Sequence, residues 1–225
     1  VNLFRVLQDD RMGFQLLIKL MVTPFARDEF EIGYIETDEP VERARRLVIL
    51  SYMGFGSNGH SRLNRTGFRS NSDRLGTTPA HDWANYPKVM PAIIERLRGV
   101  VIENRDALAV MAQHDGPDTL HYVDPPYMRE TRSIAKNRTG CYTHELDADG
   151  HARLLAFLPT LAGMVVVSGY PHSAYDAAFV GWRRVEIGAH ADGGADRREV
   201  IWINPAAWAR GHDLFAPRIA VGDVA

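Results

Sequence analysis

Thr119-Leu120-His121-Tyr122-Val123-Asp124-Pro125-Pro126-Tyr127 reads as a short strand that halts at an acid and a stiff turn. Two successive prolines donate no backbone hydrogen bonds, so they end the strand and leave carbonyls free to accept. An aspartate, a free carbonyl and an aromatic ring are then held at one strand end. In open α/β sheets that end is where ligands bind. Together the three groups suit a planar amine. The carboxylate and a carbonyl accept from its two hydrogens, the ring stacks on its plane, and the nitrogen lone pair is aimed outward, which is a positioning effect.

Working outward, the chain alternates strand and helix, and the reading is α/β. Val100-Val101-Ile102 reads as a strand, and Asp106 to Gln113 as a helix that Asp106 either caps or leaves for a ligand. Beyond the motif, His151 to Leu158 reads as a helix, Met164 to Ser168 as an apolar strand and Tyr175 to Val180 as a short helix. Arg183 to Ile187 and Glu199 to Ile203 read as two strands joined by the turn-rich Ala189–Asp196. This order predicts a parallel sheet covered on both faces, with an antiparallel hairpin at its edge.

Toward the amino terminus, Leu3, Phe4, Leu7, Phe14, Leu17, Ile18 and Met21 have helical spacing, with a break expected near Gly13. Thr37-Asp38-Glu39-Pro40 opens a helix to about Tyr52, with Ala44, Leu47, Val48 and Leu50 facing inward. From Gly54 to Pro79 no apolar period survives, which predicts a long loop or a hairpin with loops. A helix is expected from about Pro87 to Arg98.

The 225 residues are 45% hydrophobic and 24% charged, enough for a sizeable core and one domain with an insertion or two small domains. The formal net charge of −2 gives no global positive field, so a polyanion would need a local basic surface. The single cysteine, Cys141, excludes a disulfide framework and a multi-cysteine zinc site, and fits a cytoplasmic protein. No run is apolar enough to span a membrane. His144 and Glu145 are adjacent and His151 lies in the next helix with no matching further strong ligand, so they read as packing or hydrogen-bonding residues and no metal is expected. Ser168 lies outside any G-x-S-x-G elbow, so Ser168-Gly169-Tyr170 reads as a loop lining the pocket. The four tryptophans read as core.

His121-Tyr122-Val123-Asp124-Pro125-Pro126-Tyr127 resembles the catalytic motif of amino-directed methyltransferases that use S-adenosylmethionine, in the form with aspartate first that is typical of adenine-N6 enzymes. N4-cytosine enzymes usually carry Ser there and protein glutamine methyltransferases Asn. Asn2-Leu3-Phe4 and Thr23-Pro24-Phe25-Ala26-Arg27-Asp28-Glu29-Phe30 resemble the segment before target recognition in Dam-type (D12 class) enzymes. Gly67-Phe68-Arg69-Ser70-Asn71-Ser72, Pro79-Ala80-His81-Asp82-Trp83, Ser168-Gly169-Tyr170 and Trp202-Ile203-Asn204-Pro205 resemble a subgroup common in phages and prophages, and restriction-modification is the setting that the resemblance to these methylases implies, with any cognate restriction enzyme left open.

The resemblance implies a Rossmann-like methyltransferase sheet over residues 1–22 and 99–225, with an inserted, mainly helical and loop-rich recognition region over 23–98. It implies that Asp124 and the Pro125 carbonyl, stiffened by Pro126, hold N6 of a flipped adenine while Tyr127 stacks on it. Asp106 and Asp124 would contact the cofactor. Arg62, Arg65, Arg69, Asn71 and Arg74 would contact double-stranded DNA, because arginine and asparagine pair with base edges and phosphates. No obligate protein partner is implied. The family's Gly-Gly-Lys-like start and Phe-x-Gly-x-Gly-like cofactor loop are missing, and the chain does not begin with Met. The expectation is therefore a truncated enzyme that binds cofactor poorly, or a DNA-binding fragment without methyl transfer.

Overall fold

The computed structural model describes residues 1–55, 65–70, 77–131, 145–190 and 196–211. The chain divides into two compact units, Val1–Asn104 and Arg105–Ala225.

In the first unit the described residues form helices α1 (Asn2–Gln8), α2 (Asp10–Val22), α3 (Arg27–Gly33), α4 (Pro40–Met53), α5 (Pro79–Asn85) and α6 (Met90–Leu97), with a 3-10 turn over Tyr86–Val89. The break between α1 and α2 falls at Asp9 rather than at Gly13. Asp9 is extended and its carboxylate caps α2 by accepting from Met12 N at 2.8 Å. Gly13 is instead buried within α2, where a Cβ would meet the carbonyls of Val6 and Leu7 at 3.4 Å. It therefore lies inside the helix beside the end of α1 and does not stop it.

Helix α4 starts as the sequence predicts. Pro40 occupies the first turn and the Glu39 carboxylate accepts from Val41 N and Glu42 N. It is the central helix of the unit, burying Val41, Ala44, Val48, Ile49, Leu50 and Met53 against α1, α2 and α3. Leu47, expected inside, is 37% exposed because it shares the one solvent-facing strip with Arg43 and Ser51, four residues to either side. Helix α3 was not expected. The helix predicted from Pro87 begins three residues later, after the 3-10 turn, with Pro91 in its first turn. Trp83 is core, 4% exposed, and its indole N–H donates to the Thr23 carbonyl at 2.8 Å.

The second unit contains α7 (Ala107–His114), β1 (Leu120–Val123), α8 (Ala148–Phe157), β2 (Met164–Gly169), α9 (Ser173–Ala178), β3 (Arg183–His190), β4 (Asp196–Ile203) and α10 (Pro205–Arg210) among the described residues. The strands form one sheet in the order β1-β2-β4-β3. Only β1 and β2 run parallel, and β4 is antiparallel to both β2 and β3. The expected antiparallel hairpin is present, with β3 at the edge, and it makes the sheet mixed, with one parallel pair among the described residues. The strand expected at Val100–Ile102 is not formed. Those residues are irregular and Val101 is 83% exposed, so an apolar triplet without pairing partners did not make a strand.

Strand β2 is buried on both faces, which its unbroken Met-Val-Val-Val run anticipates. Val165 and Val167 face Leu154, Leu155, Leu158, Tyr175 and Trp202, while Val166 packs with Ile203 and Ala207. Asn204 fastens this core. Its Oδ1 accepts from Val165 N at 3.0 Å and Ala207 N at 2.8 Å, and its Nδ2 donates to the Gly163 carbonyl at 2.9 Å. The predicted last strand thus ends at Ile203, and Asn204-Pro205 opens α10.

Candidate active site

The parallel register pairs Val123 with Val167, so Asp124 and Ser168 are the next residues out from the last pair of β1 and β2. The Ser168 hydroxyl donates to Asp124 Oδ1 at 2.9 Å and lies 3.4 Å from the Val123 carbonyl. Asp124 itself is exposed, whereas Ser168 is buried. Pro125, Pro126 and Tyr127 are half-buried, and the described residues show no backbone donor to the Pro125 carbonyl. Carboxylate and carbonyl acceptors therefore stand at the strand end beside an aromatic ring, the grouping expected from the sequence.

Tyr127 is braced by Tyr170, whose ring meets it edge-on with centroids 4.6 Å apart. Burial, followed by the negative charge of Asp124, pushes the Tyr127 phenol well above its ordinary range, while the Ser168 hydroxyl pulls the other way. A neutral ring is what stacking on a base requires. Gly169 lets the end of β2 lie on Trp202, since a Cβ there would stand 3.3 Å from the indole edge.

The base of β1 is locked as well. Asp115 accepts from Ala162 N at 2.8 Å, Gly163 N at 2.9 Å and the His121 ring at 3.2 Å. These backbone amides, with His121, hold its carboxyl below the usual range. Gly163 is obligatory here, because a Cβ would lie 2.8 Å from the Gly116 and Thr119 carbonyls.

Past the motif, Glu130 in a 3-10 turn over Arg129–Thr131 accepts from the His172 ring at 3.1 Å, a link the sequence reading missed. A cavity of about 860 Å³ adjoins this turn, lined mainly by apolar groups of α8 and α9 with Met128, His151 and His172. His151 is a core residue, 3% exposed and bonded through Nδ1 to the Tyr175 hydroxyl at 3.1 Å. Among the described residues no group of three or more His, Cys, Asp or Glu could hold a metal ion, and no helix is long and apolar enough to cross a membrane. His144 lies outside the described residues.

Asp106 caps α7, its Oδ1 accepting from Ala109 N at 3.0 Å, and the side chain is exposed. Capping was one of the two roles open to it. Leu108 and Met111 of the helix it caps pack against the same core as Val123 and Met128.

Of the expected DNA-contacting residues, Arg62, Asn71 and Arg74 lie outside the described residues. Arg65 and Arg69 flank a short antiparallel bridge between Gly54 and Phe68, in which Phe55 N donates to the Gly67 carbonyl and Arg69 N to the Met53 carbonyl, both at 2.8 Å. Phe68 anchors the bridge against Phe25 and Phe30. Arg65 lies over the Tyr34 ring at 4.5 Å and 3.6 Å from Glu31, but stays largely exposed. Arg69 is half-buried, with a guanidinium nitrogen 3.4 Å from the Tyr52 carbonyl. The rest of the segment expected to be a long loop or a hairpin, residues 56–64 and 71–76, lies outside the described residues.

Comparison with known proteins agrees with the geometry. The model of the D12 class N6 adenine-specific DNA methyltransferases matches residues 23–181, a span that includes the Phe68 bridge, the Asp124 strand end and Ser168. No curated protein matches the chain. With a family match over most of its length and the acceptor cluster at the expected strand end, the chain belongs to the D12 class of N6 adenine-specific DNA methyltransferases.

Proposed function

We propose that the protein transfers a methyl group to N6 of adenine at a defined sequence in duplex DNA, acting on a base that has left the stack. The observation that carries this reading is the exposed Asp124 carboxylate, tied through one oxygen to Ser168 and standing beside the braced Tyr127 ring. N6 is paired and out of reach within the duplex, so the base must flip to meet it. Asp124 and the Pro125 carbonyl accept from the two amino hydrogens, and Tyr127 stacks on the base plane. Held this way, the N6 lone pair points out of the pocket, and Asp124 is placed to accept the proton that N6 sheds as it becomes a secondary amine.

S-adenosylmethionine, the usual donor in this family, supplies an electrophilic methyl group and requires no metal. Asp106 is compatible with holding its adenine. The residue is exposed, and capping uses Oδ1. Residues 23–98 are assigned to target recognition, with Arg62, Arg65, Arg69, Asn71 and Arg74 meeting the DNA.

A second reading, DNA binding without methyl transfer, rests on one flank of the sheet unit. Helix α7 buries none of its residues, and among the described residues β1 pairs only with β2, leaving Leu120 and Tyr122 exposed. The decisive experiment incubates the protein with unmethylated duplex DNA and labelled S-adenosylmethionine and maps N6-methyladenine by sequencing. Methylation confined to one short motif is expected. DNA binding without any transferred label would establish the second reading instead.

A further inference from the structure

We propose that Ser168 is a positioning residue that sets the rotation of the Asp124 carboxylate and so dedicates one of its oxygens to the substrate amine. The proposal rests on the adenine-N6 reading above and deepens it, because it concerns a residue outside the Asp-Pro-Pro-Tyr motif.

A serine hydroxyl has a single proton to give. Three oxygens stand near this one, the Val123 carbonyl at 3.4 Å, Asp124 Oδ1 at 2.9 Å and the hydroxyl of Tyr127, which carries a proton of its own. Of the three only the carboxylate is charged, and bonds to charged acceptors are the stronger, so the Ser168 proton goes to Oδ1. The arrangement is built rather than incidental. Ser168 is 7% exposed, on a strand paired on both sides, one position beyond the Val123–Val167 pair. Its backbone pairs with Ile201 of β4, directly after the last β1–β2 pair. The carboxylate it grips is exposed, on a residue beyond the end of its own strand. A carboxylate so placed would otherwise rotate freely about its terminal bond, which is a broad, two-fold torsion. With Oδ1 tied back, Oδ2 is the oxygen that meets an amino hydrogen, and the plane of the carboxylate is fixed before the base arrives.

A serine that only filled space would leave catalysis untouched when shortened, and one that only supported the sheet would act through stability. The test uses the full chain with Ser168→Ala and Ser168→Thr. Ser168→Ala is expected to lower kcat about tenfold, the loss of one bond to a charged group, with KM for DNA and the melting temperature nearly unchanged. Ser168→Thr, which keeps the hydroxyl, is expected to recover most of the rate. In an Asp124→Asn background Ser168→Ala should cost little more, because the two residues act as one unit. A second measurement needs no turnover. The carboxyl carbon resonance of Asp124, assigned by its disappearance in Asp124→Asn, should move in Ser168→Ala and return in Ser168→Thr.

An unchanged kcat in Ser168→Ala overturns the proposal, and so does a loss carried by KM or by melting. A chain that transfers no methyl group at all overturns the adenine-N6 reading instead. In that case the Asp124 resonance decides on Ser168 alone, and a resonance that does not move overturns its role.

Discussion

Arg45 in the helical unit and Asp124 in the sheet unit are both charged, yet the fold treats them in opposite ways. Arg45 is withdrawn from water, its side chain 12% exposed, and meets Glu29 and Glu42 at 2.7 Å each. Glu42 also holds Arg46 at 2.9 Å and Lys19 at 3.1 Å, so one network ties α2, α3 and α4. Those charges are spent on holding helices together. Asp124 is left in contact with solvent, secured among the described residues by a neutral hydroxyl rather than a cation. A carboxylate neutralised by arginine would be a poor acceptor for an incoming amine, whereas one held by serine keeps its full charge for the ligand. Charged residues in this chain therefore divide by what they face. The arginine-rich character of the first unit is partly structural, and Arg45 and Arg46 carry no message about DNA.

The largest effect that could break this contrast is loss of Asp124. Asp124→Ala should lower methyl transfer by about a hundredfold to a thousandfold, the scale seen when a single electrostatic positioning group is removed. DNA affinity and melting temperature should stay close to wild type. Near-normal turnover in this variant would show that Asp124 is as structural as Arg45.

The mirror experiment removes Glu42, where the expected loss is in stability. Glu42→Ala leaves the half-buried Arg45 with Glu29 as its remaining acidic partner and should cost about 1–3 kcal/mol, the scale of removing one partner of a hydrogen-bonded charge. The Arg45 guanidinium, helped by Arg46 and Lys19, holds the Glu42 carboxyl down to about 2 from 4.5. A carboxyl whose pKa is lower folded than unfolded stabilises the fold fully above pH 4.5, and that contribution disappears as the pH falls toward 2. Far-ultraviolet circular dichroism of the full chain should show helix loss in that window, and Glu42→Gln should flatten it. Identical acid curves for the two proteins would remove the network from the stability account.

Tyr127 sharpens the comparison within the site. Tyr127→Phe should retain activity, because it is the ring that stacks. Tyr127→Ala should lose roughly tenfold to a hundredfold, base–aromatic stacking being worth about 1–3 kcal/mol. Equal rates for the two variants would mean the ring does not touch the base.

The smallest expected effect concerns an arginine on the border of the two classes. Arg69 is bound to α4 through its backbone, while its guanidinium makes only a 3.4 Å approach to the Tyr52 carbonyl. Arg69→Ala should barely change melting and should relax the methylated sequence by about 1–3 kcal/mol of discrimination at one base. An unchanged methylated motif with lower stability would place Arg69 among the structural arginines.

Much of the site was legible before any coordinates. The turn at Asp124-Pro125-Pro126-Tyr127 is dictated locally, because prolines end a strand wherever they occur. The Met-Val-Val-Val run of β2, the Pro40 start of α4 and the β3–β4 hairpin are likewise set by neighbours in sequence. Three features escaped the sequence reading for one shared reason. Gly13 lies buried inside a helix rather than stopping one, Val100–Ile102 lacks a partner strand among the described residues, and the Ser168 hydroxyl falls on Asp124 across a register that joins residues 44 apart. Propensity and periodicity report what a residue does with its near neighbours in the chain. Which backbone lies beside it, and therefore which acceptor its one proton finds, is decided only when helices and strands pack.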